Sequence, residues 1–390
     1  MKQLLNLRRN KFSKIWLAII LGIVLMTSQI KVNAANLSTP KLHSFDENVN
    51  QIKGTATEKL INQQVQKRDF IGTVTLVKNG HLVYQQGFGY ANRNKNLKNS
   101  GNTTFQIASI QKGVTAMLLK KAALANHFSL DAPLSKFYPQ IKNANLVTLR
   151  DLLTMTSGIL IQPLPRIKMS DQQFLDYTVK HTKILKSHVG NLQYQPVNFV
   201  LLAGIVQKET KEGYYQAFKK EIQEPLKLTN TYFYQEMKSH EYQQAQGYHF
   251  SRNNPYRIYS EPEYGYTDQL GTGNLYMSNG DLYQMLHAFL TAKLLTPEQT
   301  ANLYSTGKTR SDYEAGLYPL NQKMPELMGK QYAGYHFHGA EFGFETVGDI
   351  SKDGQTAVIF ASNSANRPAN NDYHLDVPVY KQLIDDNKIF

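Results

Sequence analysis

The sequence predicts an α/β protein of the α+β kind: one antiparallel sheet built from both chain ends, flanked by helices, with a large helical lobe inserted. Three observations predict it. Near one end, Gly72 to Val77 and His81 to Phe88 flank Lys78-Asn79-Gly80; near the other, Phe344 to Asp349 and Thr356 to Ser362 bracket Lys352-Asp353-Gly354. Asn-Gly and Asp-Gly between β-rich runs are strong hairpin signals, because the tight turn needs positive φ at its centre. Between these hairpins, from Ser109 to about Gln235, apolar residues recur mainly at helical spacing. Strands at both ends with helices between them imply a shared sheet, and the cleft then lies between sheet and lobe.

Taken in order, the first 34 residues read as an export signal. Lys2, Arg8, Arg9, Lys11 and Lys14 precede an apolar run from Ile15 to Met26, and Val32-Asn33-Ala34 suits cleavage before Ala35. The run is short for a membrane span, which needs about 20 residues, so an uncleaved anchor is the second expectation. Both place the body outside the cytoplasm. Residues 35–54 are a polar linker, and residues 55–390 form the folded domain, its α/β part about 55–108 and 325–390 and its helical lobe about 109–324.

Thr55 and Glu58 have capping-box spacing ahead of Leu60, Ile61 and Val65, which predicts a short helix before the first hairpin. The lobe's helices are expected from Ser109 onward, at Leu149 to Met155, Asp171 to His181, Asn198 to Lys208 and Tyr214 to Ile222. Loops with Pro133, Pro139, Pro163 and Pro165 separate them. A Tyr-rich irregular region runs from Tyr232 to Tyr266, then helices are expected at Asn279 to Leu290 and, last, at Val377 to Asp386.

The chain has 390 residues, no cysteine and a formal charge of +13. Disulfides, thiolate nucleophiles and Cys-based metal sites are therefore excluded, and stability must come from a core. Residues 1–34 hold six of the basic groups and no acid, so the remainder keeps 37 basic against 30 acidic residues, or +7. A positive surface outside a cell favours wall and membrane polyanions, and equally fits a generally lysine-rich, soluble surface. No nucleic-acid motif is present, and no cofactor is implied.

Ser-x-x-Lys begins at Ser28, Ser38, Ser109 and Ser305, and only Ser109 opens a helix. There, residues three apart share a face, so Lys112 lies beside the Ser109 hydroxyl. A serine attacks a carbonyl only when a base takes its proton, and a lysine serves as that base only when burial or nearby cations favour its neutral form. The alternative is a helix cap beside a solvated lysine.

With Ser109-x-x-Lys112, the Leu149-Arg150-Asp151-Leu152-Leu153-Thr154-Met155-Thr156-Ser157-Gly158 block and Gly271-Thr272-Gly273-Asn274, the chain resembles the serine β-lactamase and penicillin-binding protein superfamily, particularly its class C and D-alanyl hydrolase branch. The resemblance implies a β-lactamase/transpeptidase-like fold over nearly the whole exported chain. Its second motif, Tyr-x-Asn, appears as Tyr194-Gln195-Pro196, so Tyr194 is the implied proton shuttle while Pro196 has no amide to grip substrate; a packed core aromatic is the other reading of Tyr194. Its third motif appears as Phe337-His338-Gly339, with no cation in first position; His336 or His338 is the candidate replacement. Gly339 allows close backbone approach, and the N–H of Ala340 with that of Ser109 is the implied oxyanion hole.

Ser-x-x-Lys, Tyr-x-Pro and Phe-His-Gly-Ala-Glu-Phe-Gly-Phe together look like the lipoteichoic-acid D-alanyl esterases of Gram-positive surfaces. That resemblance implies a carboxylic ester hydrolase that removes D-alanine from a poly(glycerol phosphate) chain through a Ser109 acyl-enzyme. Such a substrate carries an ammonium that Glu341 or Glu345 would attract; solvated strand residues are the other reading of both. Two alternatives remain: a D-alanyl-D-alanine carboxypeptidase or β-lactamase, and a catalytically degenerate wall-polymer binder, which Pro196 favours.

Overall fold

The two expected hairpins join side by side in the computed structural model, which describes residues 45–160, 163–251, 253–307, 311–320, 332–365, 374–386 and 389. The expected export signal and the first half of the linker, residues 35–44, lie outside the described residues; the second half contributes the strand Val49–Asn50 to the sheet. Strands β1 (Val49–Asn50), β2 (Gly72–Lys78), β3 (His81–Phe88), β4 (Tyr318–Pro319), β5 (Gly334–Glu341), β6 (Phe344–Ser351) and β7 (Ala357–Ser362) form one antiparallel sheet. Their order is β1-β3-β2-β7-β6-β5-β4. The two chain ends meet where Gly72 to Val77 pair with Ser362 to Ala357.

The first hairpin turns as its sequence demands, with φ of 52° at Asn79 and 78° at Gly80. The second has positive φ at Gly354 alone of the pair Asp353-Gly354. Here Asp353 Oδ1 accepts from Ser351 Oγ and the Gln355 N–H, an Asx-type loop that delays the next strand to Ala357.

Helix α1 (Ala56–Lys67) starts at Thr55, whose side chain accepts from Glu58 N. The expected reciprocal bond is absent: Glu58 accepts instead from Gly54 N and Asn50 Nδ2. Helices α2 (Gln111–Ala125), α3 (Leu149–Leu153), α4 (Asp171–His181), α5 (Val197–Thr210) and α6 (Asn279–Leu290) follow, with α7 (Asp376–Asp385) last. The segment expected as one helix from Tyr214 is α-helical only to Phe218, then widens into a π-turn over Lys219–Gln223. Three short strands, Thr104–Gln106, Leu275–Ser278 and Thr231–Phe233, form a second sheet. At three or four residues they are too short for alternation to be read, and their pairing joins distant segments.

The large sheet divides the core. On one face Phe337, Ile350 and Ile359 pack with Val114, Leu118 and Leu286 of α2 and α6. On the other, Val74, Val347, Val358 and Phe360 pack with Ile61 of α1 and Val379, Tyr380 and Leu383 of α7. Period-two alternation along each strand decides which residue meets which layer.

Candidate active site

Ser109 sits in a 3-10 turn, Ala108–Ile110, just before α2. The turn is anchored because Ile107 N–H donates to Leu275 O at 2.9 Å, continuing the pairing of Gln106 with Tyr276. Ala108 is held at φ 46°, a left-handed conformation that costs a residue with a Cβ roughly 1 kcal/mol or more and is characteristic of functional turns. Neither this turn nor α2 has a side-chain cap. The Ser109 hydroxyl instead accepts from Lys112 Nζ at 2.8 Å.

Lys112 is 1% exposed. Its amine also donates to Thr272 O at 3.3 Å and lies 5.2 Å from the centre of the Tyr194 ring. The Thr272 carbonyl is aimed by the turn before it: Gly271 has φ 69°, and its carbonyl accepts from Thr115 Oγ1 of α2 at 2.7 Å. A Cβ at Gly271 would stand 2.6 Å from Ala203 Cβ. The Gly271-Thr272-Gly273 block thus presses against α2 and α5 and supplies an acceptor for the buried amine.

Tyr194 is 40% exposed and packs edge-to-face on Tyr313 at 5.7 Å, so it is no buried core aromatic. Pro196 occupies the N-cap position of α5 without a side-chain cap, and with Gln195 and Val197 it lines the groove shared with Ser109. Asn198, the nearest asparagine in sequence, is fully buried; it accepts from Ser157 Oγ at 2.6 Å and donates to Gln195 O at 2.9 Å.

Strand β5 borders the Ser109 turn. Its outer neighbour β4 covers only Tyr335 and His336, leaving the backbone from Phe337 to Glu341 free of a strand on that edge among the described residues. A Cβ at Gly339 would lie 2.1 Å from Ile107 O and 3.0 Å from Ser109 N, so the two backbones touch here. Gly339→Ala is expected to lower stability by about 1–3 kcal/mol through overpacking and to reduce kcat by at least about tenfold. Thermal unfolding beside steady-state kinetics checks it.

Two sequence-based candidates prove to face elsewhere. Residues 336 and 338 share a strand face opposite to Phe337 and Gly339. His336 is buried on the α7 side, with Nδ1 3.0 Å from Asp349 Oδ1 and 3.2 Å from Asp376 Oδ2. His338 lies opposite Val347 and its Nε2 is 2.9 Å from Glu345 Oε1. Neither imidazole replaces the missing cation of the third motif, and Glu345 is engaged with His338 on that same face rather than in the groove.

Glu341 does line the groove, a cleft of about 720 Å³ shared with Ser109, Lys112, Arg166, Asp268 and Tyr264. Burial, with the charge of Glu341 adding, pushes Asp268 up to about 7. Burial likewise pushes Glu261 up to about 9, with Glu341 and Asp268 contributing; its carboxylate flanks Gly265 of the groove wall. The sequence reading missed Glu261 and Asp268, which lie in and just after the Tyr-rich region without a motif. Because the folded pKa of Asp268 is raised, its contribution to stability is fully present below about 4 and lost as pH rises toward 7. Asp268→Asn is therefore expected to melt a few degrees above the parent at pH 8, with the gain shrinking toward pH 5 in differential scanning fluorimetry.

A serine hydroxyl bonded to a buried amine, in a groove at a sheet edge, agrees with what the sequence comparison finds: the Beta-lactamase family profile matches residues 57–380. The chain belongs to the β-lactamase family. Within this family it is similar to the teichoic acid D-alanine hydrolase of Staphylococcus aureus (strain NCTC 8325 / PS 47), 31% identical over 293 residues that span 71% of this chain and 70% of that one. A Bacillus subtilis (strain 168) relative, provisionally named penicillin-binding protein PbpX, is 29% identical over 318 residues, 81% of this chain and 76% of that one. The crystal structure of FmtA from Staphylococcus aureus superposes with a TM-score of 0.72 at 25% identity, covering 86% of this chain and 92% of that one. As a β-lactamase-family protein, the chain is a serine hydrolase of the superfamily that the sequence motifs resemble.

Proposed function

We propose that the protein is a surface-exposed esterase that hydrolyses D-alanyl esters on lipoteichoic acid. Lys112 takes the proton of Ser109, and Ser109 Oγ attacks the D-alanyl carbonyl. The N–H groups of Ser109 and Ala340 receive the developing oxyanion. Tyr194 passes the proton to the departing glycerol oxygen, which leaves as the alcohol, and water then releases D-alanine from the acyl-enzyme. Microscopic reversal of the proton path serves the second step.

The observation that carries this reading is the acidic wall beside the nucleophile. Glu341, with the ionised fraction of Asp268 near pH 7, repels a substrate carboxylate and attracts an ammonium, whereas Glu261, pushed up to about 9, is neutral there; the third motif has Phe337 where relatives carry a cation. An aminoacyl ester offers an ammonium beside its carbonyl and no free carboxylate. Arg166, also in the groove, would meet phosphate of the polymer. The staphylococcal relative's name carries the same chemistry. Arg166 is the feature that would favour the carboxypeptidase reading, since it would bind a peptide C-terminus equally well.

The test incubates the exported domain with D-alanylated lipoteichoic acid, with muropeptide and with a chromogenic cephalosporin. Ser109-dependent release of D-alanine from the first alone supports the esterase. Release from muropeptide alone replaces it with a carboxypeptidase, and no release from any substrate leaves a binder.

A further inference from the structure

We infer that His336, Asp349 and Asp376 form a binding site for one divalent transition-metal ion, with Zn²⁺ the best match, on the face of the sheet turned away from Ser109. The three side chains come from β5, β6 and α7 and are 5%, 0% and 0% exposed. One ligand atom from each lies within 4.8 Å of the others. The Nδ1-to-oxygen separations of 3.0 and 3.2 Å fit adjacent ligands around an ion bonded at about 2.1 Å, whose spacings run from roughly 3.0 to 3.4 Å between right-angled and tetrahedral geometry.

Hydrogen bonding leaves the cluster incomplete. A single Nδ1–H serves one carboxylate at a time, and Asp349 Oδ2 and both Asp376 oxygens are buried without a hydrogen-bond donor among the described residues. A second group points the same way. Tyr380, four residues after Asp376 and so on the same side of α7, is fully buried with its hydroxyl also unpartnered.

Charge completes the argument. Carboxylates buried this close together ionise together only beside compensating positive charge. A divalent ion with a neutral imidazole brings the cluster to zero. One nitrogen with two carboxylates suits Zn²⁺, and Mn²⁺ more weakly, whereas Mg²⁺ and Ca²⁺ prefer oxygen throughout. The ion would tie α7 to the two strands, and His336 stands three residues before Gly339, so the site would brace the strand that borders Ser109 without taking part in the reaction.

The test uses the full exported chain, free of any histidine tag, assayed for metal by mass spectrometry as purified and again after stripping with chelator. Stripped protein is titrated with Zn²⁺, Mn²⁺, Mg²⁺ and Ca²⁺ by calorimetry and thermal unfolding. The expected result is saturable uptake of one Zn²⁺ per chain, a melting temperature raised by several degrees, no comparable effect of Mg²⁺ or Ca²⁺, and at least tenfold weaker binding in Asp376→Asn. Co²⁺ substitution in the unmutated protein should give ligand-field absorption, a readout that survives if the variant does not fold. Ser109→Ala should bind Zn²⁺ unchanged, which separates this site from the esterase reading. Stripped protein that neither takes up Zn²⁺ nor changes its melting temperature, or Asp376→Asn that binds as tightly as the parent, overturns the site.

Discussion

Ser109→Ala is expected to lower kcat on its best ester substrate by about 10⁴-fold or more while leaving the melting temperature within a few degrees. The kinetic expectation follows from covalent catalysis: without Oγ no acyl-enzyme forms, and oxyanion donors and binding alone leave only a residual rate. The stability expectation follows from the geometry. Ser109 is partly exposed, its hydroxyl caps nothing, and the bond lost is the one from Lys112 Nζ, which retains the Thr272 carbonyl. One such hydrogen bond contributes about 1 kcal/mol net. Mass spectrometry after brief exposure to substrate gives an independent reading, since an acyl adduct should form on the parent and not on the variant. Retained turnover in Ser109→Ala would remove the nucleophile from the proposal.

Lys112→Met is the second large effect, and its two readouts should move apart. Activity is expected to fall by about 10³-fold, within the range for loss of a positioned acid–base group, because methionine fills the space and accepts no proton. Stability is expected to hold or rise. The amine occupies a 1% exposed position between α2 and the Gly271 turn, and replacing a buried ionisable group by an apolar side chain of similar volume is often neutral or stabilising. Lys112→Arg should be equally inactive, since a guanidinium does not give up its proton in a protein. A Lys112→Met protein that melts far below the parent would instead assign the lysine a structural task, and one within tenfold of parental activity would deny it the role of base.

These expectations rest on residues that were largely legible. Ser109 and Lys112 stood out because the spacing puts them on one side of a helix entry, a local relation that a linear pattern records. The hairpins were legible for the same reason, through Asn79-Gly80 and Gly354, although Asp353 formed a side-chain-bonded loop rather than a tight turn. The histidines show where linear reading fails. His336 and His338 sit beside the third motif in sequence, yet strand alternation sends both to the opposite face, where His336 meets Asp349 and Asp376 from elements 13 and 40 residues further on. Glu261 and Asp268 had no signal at all, because their elevated pKa values arise from burial against Glu341, a residue more than 70 positions away.

By itself, then, the sequence determined the two end hairpins and the longer helices, that no cysteine chemistry operates, and that a hydroxyl and an amine lie one helical turn apart, for these are matters of composition and of contacts within a few residues. Tertiary structure alone decided which side of each strand faces the groove, that an acidic wall stands beside Ser109, and that a histidine and two aspartates converge behind the sheet. Those outcomes depend on strand register and on packing between elements drawn from opposite ends of the chain, and distance along a sequence carries no record of either.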